Sequence, residues 1–211
     1  MEDKLRHGTT TVGIVCKDGV ILAGDRRASA GYLIVDKKVE KVKQITDYMA
    51  ITTAGLVSDA QLFTKIIRAQ LALLRIRKGK EPSVKEAANL LASLSYANIR
   101  RPSMVPGIVA FLLGGADKVG HALYAIGIDG SVTNYDDYYS DGSGSVVALG
   151  VLETIYKKDM TIEEGTQVAV KAINAAMQRD LATGNGIDVA VITKAGVKYV
   201  LRKQLDTNLK I

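Results

Sequence analysis

A chain of 211 residues, 47% hydrophobic and free of low-complexity tracts, is long enough to bury one full core without metals or disulfides to staple it. The single cysteine, Cys16, excludes an internal disulfide and, set in an apolar alternating run, reads as a buried structural thiol of a reducing compartment. The formal charge is +6, but its lysines and arginines are mixed with acids, as in KKVEKVK and YKKDMTIEE, and two Phe with no Trp offer little for base stacking, so no nucleic-acid partner is expected.

No apolar run approaches the roughly 18 residues that span a bilayer, and MEDKLRHG has no apolar signal region, so a cytoplasmic protein without a membrane partner is expected. In chain order, Thr9 to Asp25 predicts two short strands joined at Lys17-Asp18-Gly19, a hairpin turn of the Asp-Gly type. A loop around Ala30-Gly31-Tyr32 leads to Ile34-Val35-Asp36. Lys41 to Ile45 and Tyr48 to Thr53 then read as two further strands about a Thr46-Asp47 turn.

Gly55 ends this strand signal. Leu56, Ala60, Phe63, Ile67, Leu71 and Leu74 recur at helical spacing, and Leu62, Ile66, Ala69, Leu73 and Ile76 beside them make the apolar stripe wide. Gly79 stops the helix, and the capping box Ser83-Val84-Lys85-Glu86 starts a second through Leu94. Strand character resumes over 107–113, 119–128 and 131–138, with Asp129-Gly130 as a turn. Gly-Ser-Gly-Ser at 142–145 opens a third helix, Thr161 and Glu164 cap a fourth that runs towards Asp180, and 186–193 and 197–202 close with two strands around Ala195-Gly196. This order predicts an α+β chain: a four-layer αββα sandwich of two antiparallel sheets, each outer face covered by a helix pair, in one domain without internal repeat.

A threonine at a strand start is usually only a β-branched residue in a favourable conformation. The blocks GTTTVGIV, GVILAGDRRAS, KKVEKV, TTAGLVSDAQ, GSGS…GVLE and QRDLATGNGIDVAVIT, however, stand in one order across nearly the whole chain. Together they resemble the catalytic β subunits of the archaeal and bacterial proteasome core particle, threonine peptidases with the N-terminal nucleophile hydrolase fold. The resemblance implies that residues 1–8 are an autocleaved propeptide, that Gly8-Thr9 is the cleaved bond, and that 9–211 form the catalytic domain. A threonine hydroxyl is a poor nucleophile alone, and a free α-amine on the same residue, with a reference pKa of about 7.7 to 8.0, takes its proton at neutral pH. Glycine at the cleaved position keeps a side chain away from the attacking hydroxyl.

Carried over by motif, Lys41 is the buried ammonium beside Thr9 and Asp25 orients it; taken alone, they read as a loop lysine and a turn aspartate. Ser143, Asp180 and Thr183 make the polar network around the Thr9 amine, although Ser and Thr also serve turns and caps, and the family usually has Ser at the position of Thr183. Gly55 lends its backbone N–H to the oxyanion. Ala28, Val39, Thr53 and Val57 match positions of the primary substrate pocket, all small or apolar, which implies hydrophobic substrate residues. The resemblance further implies homo-heptameric β rings stacked face to face, α-subunit rings at each end, a regulatory ATPase acting through the α ring, unfolded polypeptide substrates, and neither cofactor nor metal. A non-catalytic ring subunit and the simpler bacterial two-ring threonine peptidase are the alternatives; Gly8, Thr9, Asp25 and Lys41 together favour the enzyme, and the GDRR block favours the proteasome type.

Overall fold

In the computed structural model, which describes residues 8–104 and 107–205, strand alternation feeds two different cores. β1 (Thr11–Cys16) and β2 (Gly19–Asp25) form the predicted hairpin, with Cys16 opposite Gly19 and Thr11 opposite Gly24. Val12, Ile14, Cys16, Ile21 and Ala23 enter a core beneath helices, while Val20 and Leu22 enter the core between the sheets. Every residue of β2 is buried, because both of its faces are covered.

The ladder starts at Thr11, not at Thr9 as the alternation suggested. The Thr9 and Thr10 amides are diverted to side chains, to Ser143 Oγ and Asp25 Oδ1, so these two residues belong to the site and not to the sheet.

The small two-stranded sheet of β3 (Ala28–Ala30) and β4 (Leu33–Asp36) lies where a loop and a short apolar run were predicted. β5 (Val42–Thr46) and β6 (Met49–Gly55) precede α1 (Val57–Lys78) and α2 (Val84–Arg100). After β7 (Val109–Ala116), β8 (His121–Ile126), β9 (Val132–Tyr135) and β10 (Tyr138–Asp141) come α3 (Ser145–Ile155) and α4 (Ile162–Arg179), then β11 (Gly186–Thr193) and β12 (Gly196–Gln204). Ser83 and Thr161 each make the predicted capping box, with Glu86 and Glu164.

Two five-stranded antiparallel sheets result, ordered β10-β1-β2-β11-β12 and β5-β6-β7-β8-β9. α3 and α4 cover the first through Ala148, Leu152, Ala169 and Ile173; α1 and α2 cover the second through Phe63, Ile67, Leu71 and Leu91. Val20, Leu22, Leu112, Leu123 and Ile192 fill the space between the sheets, each contributing about 1.5–3 kcal/mol by leaving water. The fold is therefore the αββα sandwich.

One further reading of the sequence needs correction. The run 131–138, read as one strand, divides at Asp136-Asp137: β9 is an edge of the second sheet and β10 pairs with β1 in the first. The wide stripe of α1 is also divided. Ala60, Phe63, Ile67 and Leu71 are buried, while Leu62, Leu73 and Ile76 on the neighbouring face are exposed.

Candidate active site

Asp25 ends β2 at the point where β1, β2 and β11 meet, and it has no exposed surface. A buried carboxylate requires donors for both oxygens. Oδ1 accepts Lys41 Nζ at 2.7 Å and the Thr10 amide at 2.9 Å, and Oδ2 accepts the amides of Arg27 and Gly184, both at 3.0 Å. Lys41, just before β5 and only 4% exposed, reaches past Asp25 so that Nζ also donates to the Gly8 carbonyl at 3.2 Å. Burial pulls the Lys41 pKa below the ordinary lysine value; the charge and hydrogen bond of Asp25 oppose that shift.

The same Gly8 oxygen accepts the Thr9 hydroxyl at 2.7 Å. Thr9 itself is buried, and its amide donates to Ser143 Oγ at 3.2 Å, in the turn before α3. Ser143 then gives its proton to Asp180 Oδ2 at 2.6 Å, just past the end of α4. Thr183 Oγ1 donates to the same carboxylate oxygen. A hydroxyl has one proton, so Thr183, having used its own, accepts from Thr10 Oγ1 across their 2.6 Å contact. Thr10 and Ser143 thus both drain towards Asp180, and Thr9 N–H lies at one end of that chain.

Two glycines are held by crowding. A Cβ on Gly8 would stand 1.6 Å from Ala182 Cβ and 2.7 Å from Ala182 Cα. Gly55 has φ +135°, a conformation L side chains rarely adopt, and a Cβ there would come within 2.2 Å of the Ile108 carbonyl.

Gly8, Thr9 and Gly55 open onto a cavity of about 300 Å3 whose walls include Ala28, Val39, Thr53 and Val57. The wall is more polar than those four residues suggested, because Asp36, Lys38, Glu40, Lys43 and Gln61 also line it. Burial, then the neighbouring Arg68, lowers the Lys43 pKa.

The structure thus brings Gly8, Thr9, Asp25, Lys41, Ser143, Asp180 and Thr183 into one network, with Gly55 and the four pocket residues around the adjoining cavity. Sequence reasoning passed over Thr10, Arg27, Ser29 and Asn185. Ser29 Oγ accepts the Gly8 amide at 3.3 Å. Arg27 donates from Nε to Asn185 Oδ1 at 2.7 Å and from Nη1 to the Leu181 carbonyl at 2.6 Å, tying the 181–185 loop to the end of β2. Arg27 and Ser29 stand inside the GDRRAS block, and Asn185, at φ +62°, lies between the two glycines of TGNG, so these motifs held the available signal. Residues 1–7 of the expected propeptide lie outside the described residues.

The family model described as "Proteasome subunit" matches residues 5–192. A proteasome subunit beta of Methanobrevibacter smithii is 45% identical over 98% of this chain and 97% of its own length. One from Ferroglobus placidus is 44% identical over 92% of this chain and 90% of its own, and a proteasome subunit beta 1 of Thermococcus onnurineus is 42% identical over the full length of both. With a family match over most of its length, relatives of this identity and the αββα fold, the chain belongs to the proteasome subunit family, as a β subunit.

Proposed function

We propose that the chain is a catalytic proteasome β subunit, a threonine endopeptidase that makes its own N-terminal nucleophile. The observation that carries this reading is the Gly8 carbonyl oxygen, which accepts both the Thr9 hydroxyl at 2.7 Å and the Lys41 ammonium at 3.2 Å. The ammonium polarises the carbonyl, and the hydroxyl is within hydrogen-bond reach of the group it attacks. Thr9 Oγ1 bonds to the Gly8 carbon, the Gly8–Thr9 C–N bond breaks, and the hydroxyl proton passes to the departing nitrogen. The product is an ester of residues 1–8 on Oγ1. Water hydrolyses it, releasing the propeptide carboxylate and leaving Thr9 with a free amine.

In the processed chain that amine takes the hydroxyl proton when Oγ1 attacks a substrate carbonyl and passes it to the departing substrate nitrogen as the peptide C–N bond breaks. Water then hydrolyses the ester on Oγ1 and restores Thr9. Ser143, tied through Asp180 to Thr183 and Thr10, holds the amine; Lys41, held by Asp25, stabilises the deprotonated nucleophile; the Gly55 N–H receives the oxyanion. Ala28, Val39, Thr53 and Val57 accept an apolar substrate side chain, and the charged wall residues set the preference at its far end.

Assembly into heptameric β rings paired face to face, capped by α rings and served by an ATPase in the cytoplasm, completes the reading: ring enclosure restricts substrates to unfolded chains. The exposed Leu62, Leu73 and Ile76 on α1 support a subunit that buries more surface on assembly.

Intact mass and peptide hydrolysis test the proposal together. Thr9→Ala is expected to keep residues 1–8 and lose hydrolysis, and Thr9→Ser to keep measurable activity. Normal processing of Thr9→Ala would assign maturation to another protease. Retained hydrolysis in it would remove Thr9 from the chemistry.

A further inference from the structure

At the end of the sandwich opposite Gly8 and Thr9 lies a second and larger cavity. β6 runs from Met49, in that cavity's floor, to Gly55 at the active-site pocket, so the two openings are one strand length apart. The cavity is an open groove of about 860 Å3, bounded by the β5–β6 and β7–β8 turns, the α1–α2 loop and the first turn of α2. Its apolar lining is made by Met49 and Pro82, both buried, and by Tyr48 and Val119, both exposed.

Lys80, Lys85, Lys118 and Lys194 stand around this lining, all exposed. None of the four has an ion-pair or hydrogen-bond partner among the described residues. The three acids that line the groove, Glu81, Glu86 and Asp117, are already committed, and Asp47 in the β5–β6 turn lies outside its lining. Glu81 pairs with Arg75, and Glu86 takes Lys78, the Ser83 amide and the Ser83 hydroxyl. Asp117 accepts the Val84 amide on one oxygen and the amides of Val119 and Gly120 on the other. Four uncommitted ammonium groups therefore surround the apolar residues of the groove, and the amides at the start of α2 are occupied by Asp117 and by the capping box.

We propose that this groove docks an acidic polypeptide segment of a partner protein, one whose carboxylates meet Lys80, Lys85, Lys118 and Lys194 around an apolar side chain seated on Tyr48, Met49, Pro82 and Val119. Charge complementarity selects the acidic sequence, and the apolar lining selects a peptide over a polyanion without side chains. Thr9 is not among the groove's lining residues, so the groove stands whether or not the chain is a peptidase.

The test uses the full chain and a fluorescein-labelled peptide, Asp-Glu-Phe-Leu-Glu-Asp, followed by anisotropy. Saturable binding that weakens with salt is expected. Lys85→Glu/Lys118→Glu is expected to weaken it at least tenfold, and Lys80→Gln/Lys194→Gln by a smaller factor. Lys157→Glu/Lys158→Glu, two exposed lysines on another face with the same change in net charge, is expected to alter it less than twofold. Equal losses in the two Glu variants would mean attraction to net charge and would overturn the proposal. So would equal affinity for the Asn/Gln peptide or for the peptide with Ser in place of Phe and Leu, or displacement of the peptide by oligo-dT at lower concentration than by the unlabelled peptide.

Discussion

Removing the carboxylate of Asp25 should damage the fold as well as the chemistry. In Asp25→Ala the Lys41 ammonium, 4% exposed, keeps its burial and loses its counter-charge, while the amides of Thr10, Arg27 and Gly184 lose their acceptor. Breaking a buried pair from one side costs about 3–5 kcal/mol. Each stranded buried donor costs about 1–3 kcal/mol more. Water entering the vacated space can satisfy the three amides, which leaves the broken ion pair as the main cost, so we expect a net loss of roughly 4 kcal/mol, a large share of the 5–15 kcal/mol typical of a domain. For a urea m-value of about 2 kcal/mol/M, the unfolding midpoint falls by roughly 2 M. Lys41→Met, which removes the charge and keeps an apolar stem, should cost less, and Asp25→Ala/Lys41→Met should be more stable than Asp25→Ala alone. Equilibrium urea unfolding of the four chains gives the coupling energy directly. An Asp25→Ala chain within 1 kcal/mol of the parent, or a double variant no more stable than it, would refute the account of Asp25 as the hub of a closed buried network.

Gly8→Ala should slow propeptide removal by at least about a hundredfold, because the new methyl would collide with Ala182 and shift the reacting carbonyl by an ångström or more; Ala182→Gly in the same chain should restore part of the rate, and time-resolved intact mass at parental speed for Gly8→Ala would contradict this. The Lys41 ammonium should be lost on the alkaline side at a pH below 10.5, its ordinary value, so processing should decline there. Across the window between that lowered pKa and 10.5 the unfolded chain holds a proton that the folded chain lacks, so stability relative to Lys41→Met should rise with pH; a fall would reverse the sign argued here. Cys16, whose pKa burial pushes up to about 12, should resist a thiol reagent at pH 8 until urea unfolds the chain, and rapid labelling of the native protein would contradict its place under α4.

The sequence alone determined what depends on neighbours a few residues away. The Lys17-Asp18 turn, the capping boxes at Ser83 and Thr161 and the two-residue alternation of β1 rest on local sterics and hydrogen bonds, so they were legible without tertiary context. The layer order followed from them. The roles expected of Thr9, Asp25 and Lys41 came from ordered blocks resembling a family, since each residue by itself reads equally well as strand, turn or surface.

Tertiary structure decided whatever joins distant parts of the chain. Asp136-Asp137 could not announce a change of sheet, because β9 and β10 carry similar strand-forming residues and only their partners differ. Thr10 reads as one more β-branched residue until Thr183, 173 positions later, meets its hydroxyl. Arg27 is a surface arginine on its pattern until Asn185 and Leu181 accept its protons. The need for glycine at position 8 likewise comes from Ala182, which no window around residue 8 contains. Local forces act along the chain, whereas the carboxylates of buried Asp25 and half-buried Asp180 collect their donors through space, and only the packed sandwich brings those donors within reach.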